Sequence, residues 1–318
     1  MRLFVVAGIA FAVLSTPASS RPLPTAYASP SWSPDGRELV FLSARGPKGG
    51  IVVARPDGTN RHRLVRASIP TQVVWSPAGD RIAYVADDGL SVIGSGGMAQ
   101  WTVSPAGDPA WSADGDKLAF AGGEEGPIQV VSADGSRRSQ VTSGAFDHSP
   151  SWAPDGRQLV FARATRAGGA ESLYVVTADG TGLRALGLRG DAPIWSPDGR
   201  SIAFWRRTPY GFEAAVASAD GASVRSLTRT RPAFSSPLRW SGDSRRLLFS
   251  LCPGLGACHV DVADVATGAV RTLATGDEPV WAPDGARVAF AARRRCRSAG
   301  IFVMDAAGRH VNRLTPCR

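Results

Sequence analysis

Histidine is scarce in this 318-residue chain, with only His62, His148, His259 and His310. Lysine is scarcer still, Lys48 and Lys117 alone, so the net charge of +9 rests on 34 arginines. Such a bias, beside abundant Ala and Gly, reads as the mark of a GC-rich genome rather than of phosphate contacts, and no nucleic-acid partner is expected. No GxSxG elbow, HExxH pair, P-loop or GxGxxG run occurs. The common signatures of α/β-hydrolases, zinc proteases and nucleotide binders are therefore missing. Four scattered histidines are also too few for a histidine-built metal centre, so neither metal nor cofactor is expected. No later apolar run approaches the roughly 20 residues of a membrane-spanning helix.

What is present begins with an export signature. Met1 and Arg2 precede twelve uncharged residues, LFVVAGIAFAVL, from Leu3 to Leu14. As a helix this run spans roughly 18 Å, short of the ~30 Å hydrocarbon core. The following STPASSRP offers small residues at the −3 and −1 positions, either Ala18/Ser20 or Thr16/Ala18. Residues 1–20 thus read as a cleavable secretory signal and 21–28 as a short lead. The mature protein is expected to be exported, periplasmic or extracellular, without a membrane span. The four cysteines, Cys252, Cys258, Cys296 and Cys317, suit an oxidising compartment.

Internal repetition dominates the rest. PSWSPDGRELVF (30–41) recurs as VVWSPAGDRIAY (73–84), PAWSADGDKLAF (109–120) and PSWAPDGRQLVF (150–161). It returns as PIWSPDGRSIAF (193–204), LRWSGDSRRLLF (238–249) and PVWAPDGARVAF (279–290). The marker tryptophans are Trp32, Trp75, Trp111, Trp152, Trp195, Trp240 and Trp281. A second half also repeats, as in IVVARPDGTNRHRLV (51–65) and IFVMDAAGRHVNRLT (301–315). Alternation of period two suits half-buried strands, and S-P-D-G is a turn: Pro presets φ, Asp bonds its own backbone, Gly takes the left-handed position. Each unit reads as four antiparallel strands, A to D. One such sheet cannot bury both faces, whereas radial stacking of seven does so. The expected fold is all-β, a single seven-bladed β-propeller over 29–318.

The W-[SA]-P-D-G-x-x-[IL]-x-F signature, followed by x-V-x-x-A-D-G and R-x-L-T, resembles the PD40 repeat. This is the WD40-like repeat of TolB-type propellers, also found beneath prolyl-oligopeptidase-type hydrolases. The resemblance covers all seven units. It departs at Ala78, which replaces the turn Asp, and at Gly242 and Ser244, which replace Pro and Gly. TolB itself has an additional N-terminal domain and six blades, so its partners are not carried over.

Blade one starts at strand A and blade seven ends at strand D, so no strand exchange closes the ring. Strand D ends on the side of the B–C loop, where Cys296 and Cys317 fall. Their bridge would pin the last strand, closing a loop worth roughly 3 kcal/mol. Cys252–Cys258 would staple the B–C hairpin of blade six.

The A–B and C–D turns are nearly uniform, whereas the D–A and B–C loops differ from blade to blade. Variable loops on a rigid scaffold are where binding resides. On that face Asp108, Asp147, His148, Asp191, Asp277 and Glu278 precede strand A and would ring the channel mouth. They would hold a cation or a basic peptide, or else cap loops locally as Asx turns. Arg206, Arg207, Arg293, Arg294 and Arg295 form a basic sector, and Trp205, Tyr210 and Phe212 an aromatic cluster that stacks on a ligand or packs between blades.

The expected function is a monomeric exported scaffold, not an enzyme, that engages a protein or peptide of the cell envelope through this face. An envelope glycan or polyanion binder is the alternative, and a lyase or hydrolase with a channel-mouth site the third reading. The absent motifs, and the lack of room for a hydrolase domain within 29–318, argue against catalysis.

Overall fold

A computed structural model of the chain describes residues 27–43, 49–67, 70–123, 126–144, 146–166, 168–209, 211–228, 234–252, 257–293 and 298–316. The signal and most of the lead, Tyr210, Arg294, Arg295 and the Cys296–Cys317 pairing lie outside these residues. Within the first repeat, Tyr27–Trp32, Leu39–Ser43, Gly50–Ala54 and His62–Arg66 pair in sequence order as one antiparallel sheet. Among the described residues six further units follow the same plan, over 72–103, 107–140, 147–189, 190–226, 234–275 and 277–313. Blades four and five share the long strand Arg184–Trp195, whose first half pairs back and second half forward. The fold is all-β, and seven four-stranded units fit seven blades.

The S-P-D-G turn works as its chemistry requires. In blade one the Ser33 hydroxyl donates to Asp35, while Asp35 accepts the Arg37 N–H and Ser33 Oγ the Glu38 N–H. Ser112/Asp114, Ser196/Asp198 and Ser241/Asp243 repeat it. Ser244 adopts φ +59 without being glycine, with the Asp243 bonds intact. In blade two, where Ala78 stands, the Ser76 hydroxyl alone accepts a turn N–H.

Packing departs from the simple reading of half-buried strands. Leu39–Ser43 and Gly50–Ala54 are buried throughout. Leu39 and Phe41 pack toward blade seven, Val40 and Leu42 toward blade two. Both faces of the sheet are covered, so strands B and C are continuous apolar runs rather than alternating ones.

One equivalent position in each strand C reveals the ring. Ile51 faces blade two, Leu90 blade three, Ile128 blade four, Leu173 blade five, Ala214 blade six and Val260 blade seven. Ile301, the seventh, packs with Phe41, Val52 and Ala54 of blade one. The circle closes through side chains, and among the described residues the first and last blades exchange no strand. The first strands of neighbouring blades touch one another, which places strand A around the axis. Trp152 and Trp240 there donate their indole N–H groups to the carbonyls of Ala110 and Ile194 in the preceding blade.

Candidate functional site

Five of the seven A strands carry a residue–proline step three positions before the marker tryptophan. The residues before proline are Ser29, Asp108, Ser149, Ala192 and Glu278, all left-handed with φ between +48 and +52. Proline has no N–H for the ladder, and the pairing with strand B shifts register at each of these steps. Left-handed backbone is uncommon for residues other than glycine and costs on the order of 1–2 kcal/mol. Bulges of this kind re-aim the side chains beside them, here at the axis.

Carboxylates satisfy the N–H groups that four of these bulges turn inward. Glu278 accepts the Ser29 N–H at 2.6 Å across the seam of blades seven and one. Asp108 accepts the Ser149 N–H at 3.1 Å from blade four, and the Gln72 amide of blade two at 3.2 Å. Asp191 and Asp277 accept the N–H of the residue that follows each. Asp277 also takes the Ser250 hydroxyl. Capping therefore occupies one oxygen or more of Asp108, Asp191, Asp277 and Glu278.

Between blades four and five, one group retains unused valence. His148 lies on strand A of blade four (Asp147–Trp152), Glu171 opens strand C of the same blade (Glu171–Thr177), and Asp191 lies on Arg184–Trp195. His148 Nδ1 stands 3.5 Å from Asp191 Oδ1, and Nε2 stands 3.9 Å from Glu171 Oε1. The side chains are 8%, 15% and 32% exposed respectively. Burial pushes Glu171 up to about 7, with Asp191 adding to the rise and His148 and Arg207 opposing it. Burial raises Asp191 as well, against His148 and the Ala192 N–H, while Asp108 reinforces the rise. Asp191 opens toward the mouth, yet protein encloses its carboxyl closely enough for desolvation to dominate.

Other residues singled out from the sequence fall into different settings. Asp147 is fully buried and bidentate to Arg163, at 2.6 and 2.7 Å, and it accepts the Thr142 hydroxyl. Its neighbour His148 points the other way, as consecutive strand residues do. Arg206 pairs with Glu213 at 2.9 Å, and Arg207 is exposed, 5.9 Å over the Phe212 ring. Arg293 is exposed. Trp205 is buried between blades five and six, edge-on to Phe249, with its N–H on the Ser236 carbonyl. Interblade packing thus takes the ring that the sequence offered as a stacking surface. Cys252 and Cys258 form the disulfide expected for the B–C hairpin.

Glu171 escaped the sequence reading. It sits in the B–C segment RATRAGGAES beside arginines that draw the eye, and only pairing of Ala164 with Glu171 carries it to the axis. The ES step closing that loop was the available signal. Glu278 is a second enclosed acid, with Arg239 near enough for its charge to act on it. Burial raises Glu278 to about 6, with Asp277 adding to the rise and the Ser29 bonds and Arg239 opposing it.

The sequence model of PD40, the TolB beta propeller domain, matches residues 18–191 and 100–230. A Bacillus subtilis protein named uncharacterized peptidase YuxL is 30% identical over 139 residues, 42% of this chain and 21% of its own. The TolB homolog of Chlorobium luteolum is 32% identical over 141 residues, 41% of this chain and 32% of its own. The chain thus spans between a fifth and a third of the curated relatives it matches. A puromycin-hydrolyzing peptidase of Mycobacterium tuberculosis superposes with a TM-score of 0.70 at 18% identity, covering 91% of this chain and 53% of that one. The expectation that the protein is not an enzyme is corrected by these matches. Two of the three similar proteins are named as peptidases, so missing motifs do not exclude catalysis. Among the described residues no helix is long and apolar enough to cross a membrane. With its repeats, antiparallel blades and a family match over well above half its length, the chain belongs to the PD40 family of TolB beta propeller domains.

Proposed function

We propose that this is an exported TolB-like propeller that binds a protein or peptide segment of the cell envelope across its D–A/B–C face. The single observation behind this reading is the concentration on that face of polar side chains that the fold does not consume. His148, Glu171 and Asp191 converge at the axis while exposed Arg207 and Arg293 stand on B–C segments. The opposite face carries the near-uniform turns, four of which are closed on themselves by Ser–Asp bonds. Export is supported by the signal-like residues 1–20. The test is affinity capture from the envelope fraction with mature protein and with an Arg207→Glu/Arg293→Glu variant. A discrete protein held by the first and lost by the second is expected; equal retention of salt-labile polyanions by both would overturn the reading in favour of polyanion binding.

A second reading is chemistry at the mouth, favoured by Glu171. A carboxyl raised to about 7 beside an imidazole is suited to donate or take a proton near neutral pH. Turnover of oligosaccharide or peptide libraries that disappears in Glu171→Gln would establish it.

A further inference from the structure

We propose that His148, Glu171 and Asp191 form a binding site for one divalent transition-metal cation at the axial mouth between blades four and five. One imidazole nitrogen and one oxygen of each carboxylate lie within 4.8 Å of one another. An ion holding nitrogen and oxygen ligands at roughly 2.0–2.2 Å spaces them by up to about 4.4 Å. Inward shifts of less than about 1 Å per side chain therefore suffice. Three separate strands supply the ligands, and interblade packing holds those strands in place.

The imidazole is the independent observation. Its side chain is 8% exposed, and among the described residues Nε2 makes no hydrogen bond, with Glu171 Oε1 standing 3.9 Å away. That separation exceeds hydrogen-bond range. Nε2 is aimed at that carboxylate from a distance that leaves room for an ion, while Nδ1 on the far side of the ring stands 3.3 Å from the Ser149 hydroxyl. Glu171 accepts no hydrogen bond among the described residues, and Asp191 accepts only the Ala192 N–H. Asp147, by contrast, has both oxygens engaged by Arg163 and Thr142.

Charge and ligand type select the ion. Two carboxylates and a neutral imidazole balance a +2 charge. An imidazole ligand disfavours Ca²⁺ and Mg²⁺, which prefer oxygen alone, and suits Zn²⁺ or Mn²⁺ in a mixed nitrogen–oxygen set. The remaining coordination positions face the mouth, where water or an oxygen of a bound segment would complete the shell. The site shares its location with the binding reading above but does not depend on any partner.

The test uses tag-free full-length chain stripped with EDTA and titrated calorimetrically with Zn²⁺ alone, then with Mn²⁺ alone. One ion per chain at micromolar Kd or tighter is expected for at least one of the two. Glu171→Gln and Asp191→Asn should each weaken binding at least tenfold. Nitrogen-15 spectra of the four histidine rings give a readout independent of any variant's folding. In wild-type protein one stoichiometric ion should perturb the His148 ring and leave His62, His259 and His310 unchanged. Binding unaltered by both substitutions, perturbation of a different ring, or no binding at millimolar metal would overturn the proposal. Metal binding without partner capture would sink only the envelope reading, and capture without metal binding only this one.

Discussion

Asp147 and His148 are adjacent in sequence and serve opposite sides of one strand. Asp147 is sealed against Arg163, whose guanidinium also lies over Phe161 and Tyr174. The bidentate bond holds Arg163 above its ordinary pKa. Removing the carboxylate strands a largely buried cation, and Asp147→Ala should lower stability by about 3–5 kcal/mol in denaturant titrations. Asp191→Asn, which breaks no protein ion pair with arginine or lysine, should change it by less than about 1 kcal/mol. Glu278 makes a pH prediction. Its folded pKa of about 6 exceeds the ordinary 4.5, so the native state binds the proton more tightly than the unfolded one. Its contribution is therefore fully present below about pH 4.5 and is lost as pH rises through 6. Glu278→Gln should gain about 1–2 kcal/mol relative to wild type between pH 4.5 and 7.5. Chemical denaturation of both proteins at the two pH values measures it, and a constant difference would refute the assignment.

At the scale of the element, the bulged A strands carry the strain and the hairpins carry the staples. Ala192 is left-handed at φ +48 with no side-chain bond to compensate. Alanine-to-glycine changes in strands ordinarily destabilise, but Ala192→Gly should be neutral or stabilising by up to about 1 kcal/mol, read as a shift in thermal midpoint. The Cys252–Cys258 staple closes a short loop on blade six. Replacing both cysteines with serine should cost about 2 kcal/mol in the chain-entropy model. Proline before x-Trp is visible in the sequence, and so are the acids around it. The register shift that swings those acids toward the axis is not visible, because it depends on which strand B carbonyls the proline leaves unpaired.

For the whole molecule, the seam between blades one and seven is the critical joint. Ile301 occupies there the position that Ile51 occupies between blades one and two. If the ring is uniformly closed, Ile301→Ala and Ile51→Ala should cost similar amounts, about 2–5 kcal/mol each. A much cheaper Ile301→Ala, or an early unfolding phase confined to blade seven, would show that the seam frays. Among the described residues no strand crosses it, and the Ile301 cluster, the Ser29–Glu278 bonds and Arg287, which donates to the Gly36 carbonyl and lies over the Trp32 ring, hold it.

Repetition explains what was legible from residues alone. A pattern returning seven times averages over local accidents, so the all-β class, the four-strand unit, the turns and the variable face follow from composition and spacing. Tertiary structure decided the rest. It showed strands B and C covered on both faces, put Trp205 inside an interblade core, and divided the axial acids between capping and open valence. It also brought Glu171 to His148 and Asp191, 23 and 20 positions away along the chain. The reason is physical: periodicity reports which side chains a sheet buries, whereas a site spanning two blades depends on how one sheet sits against the next, and no local pattern encodes that placement.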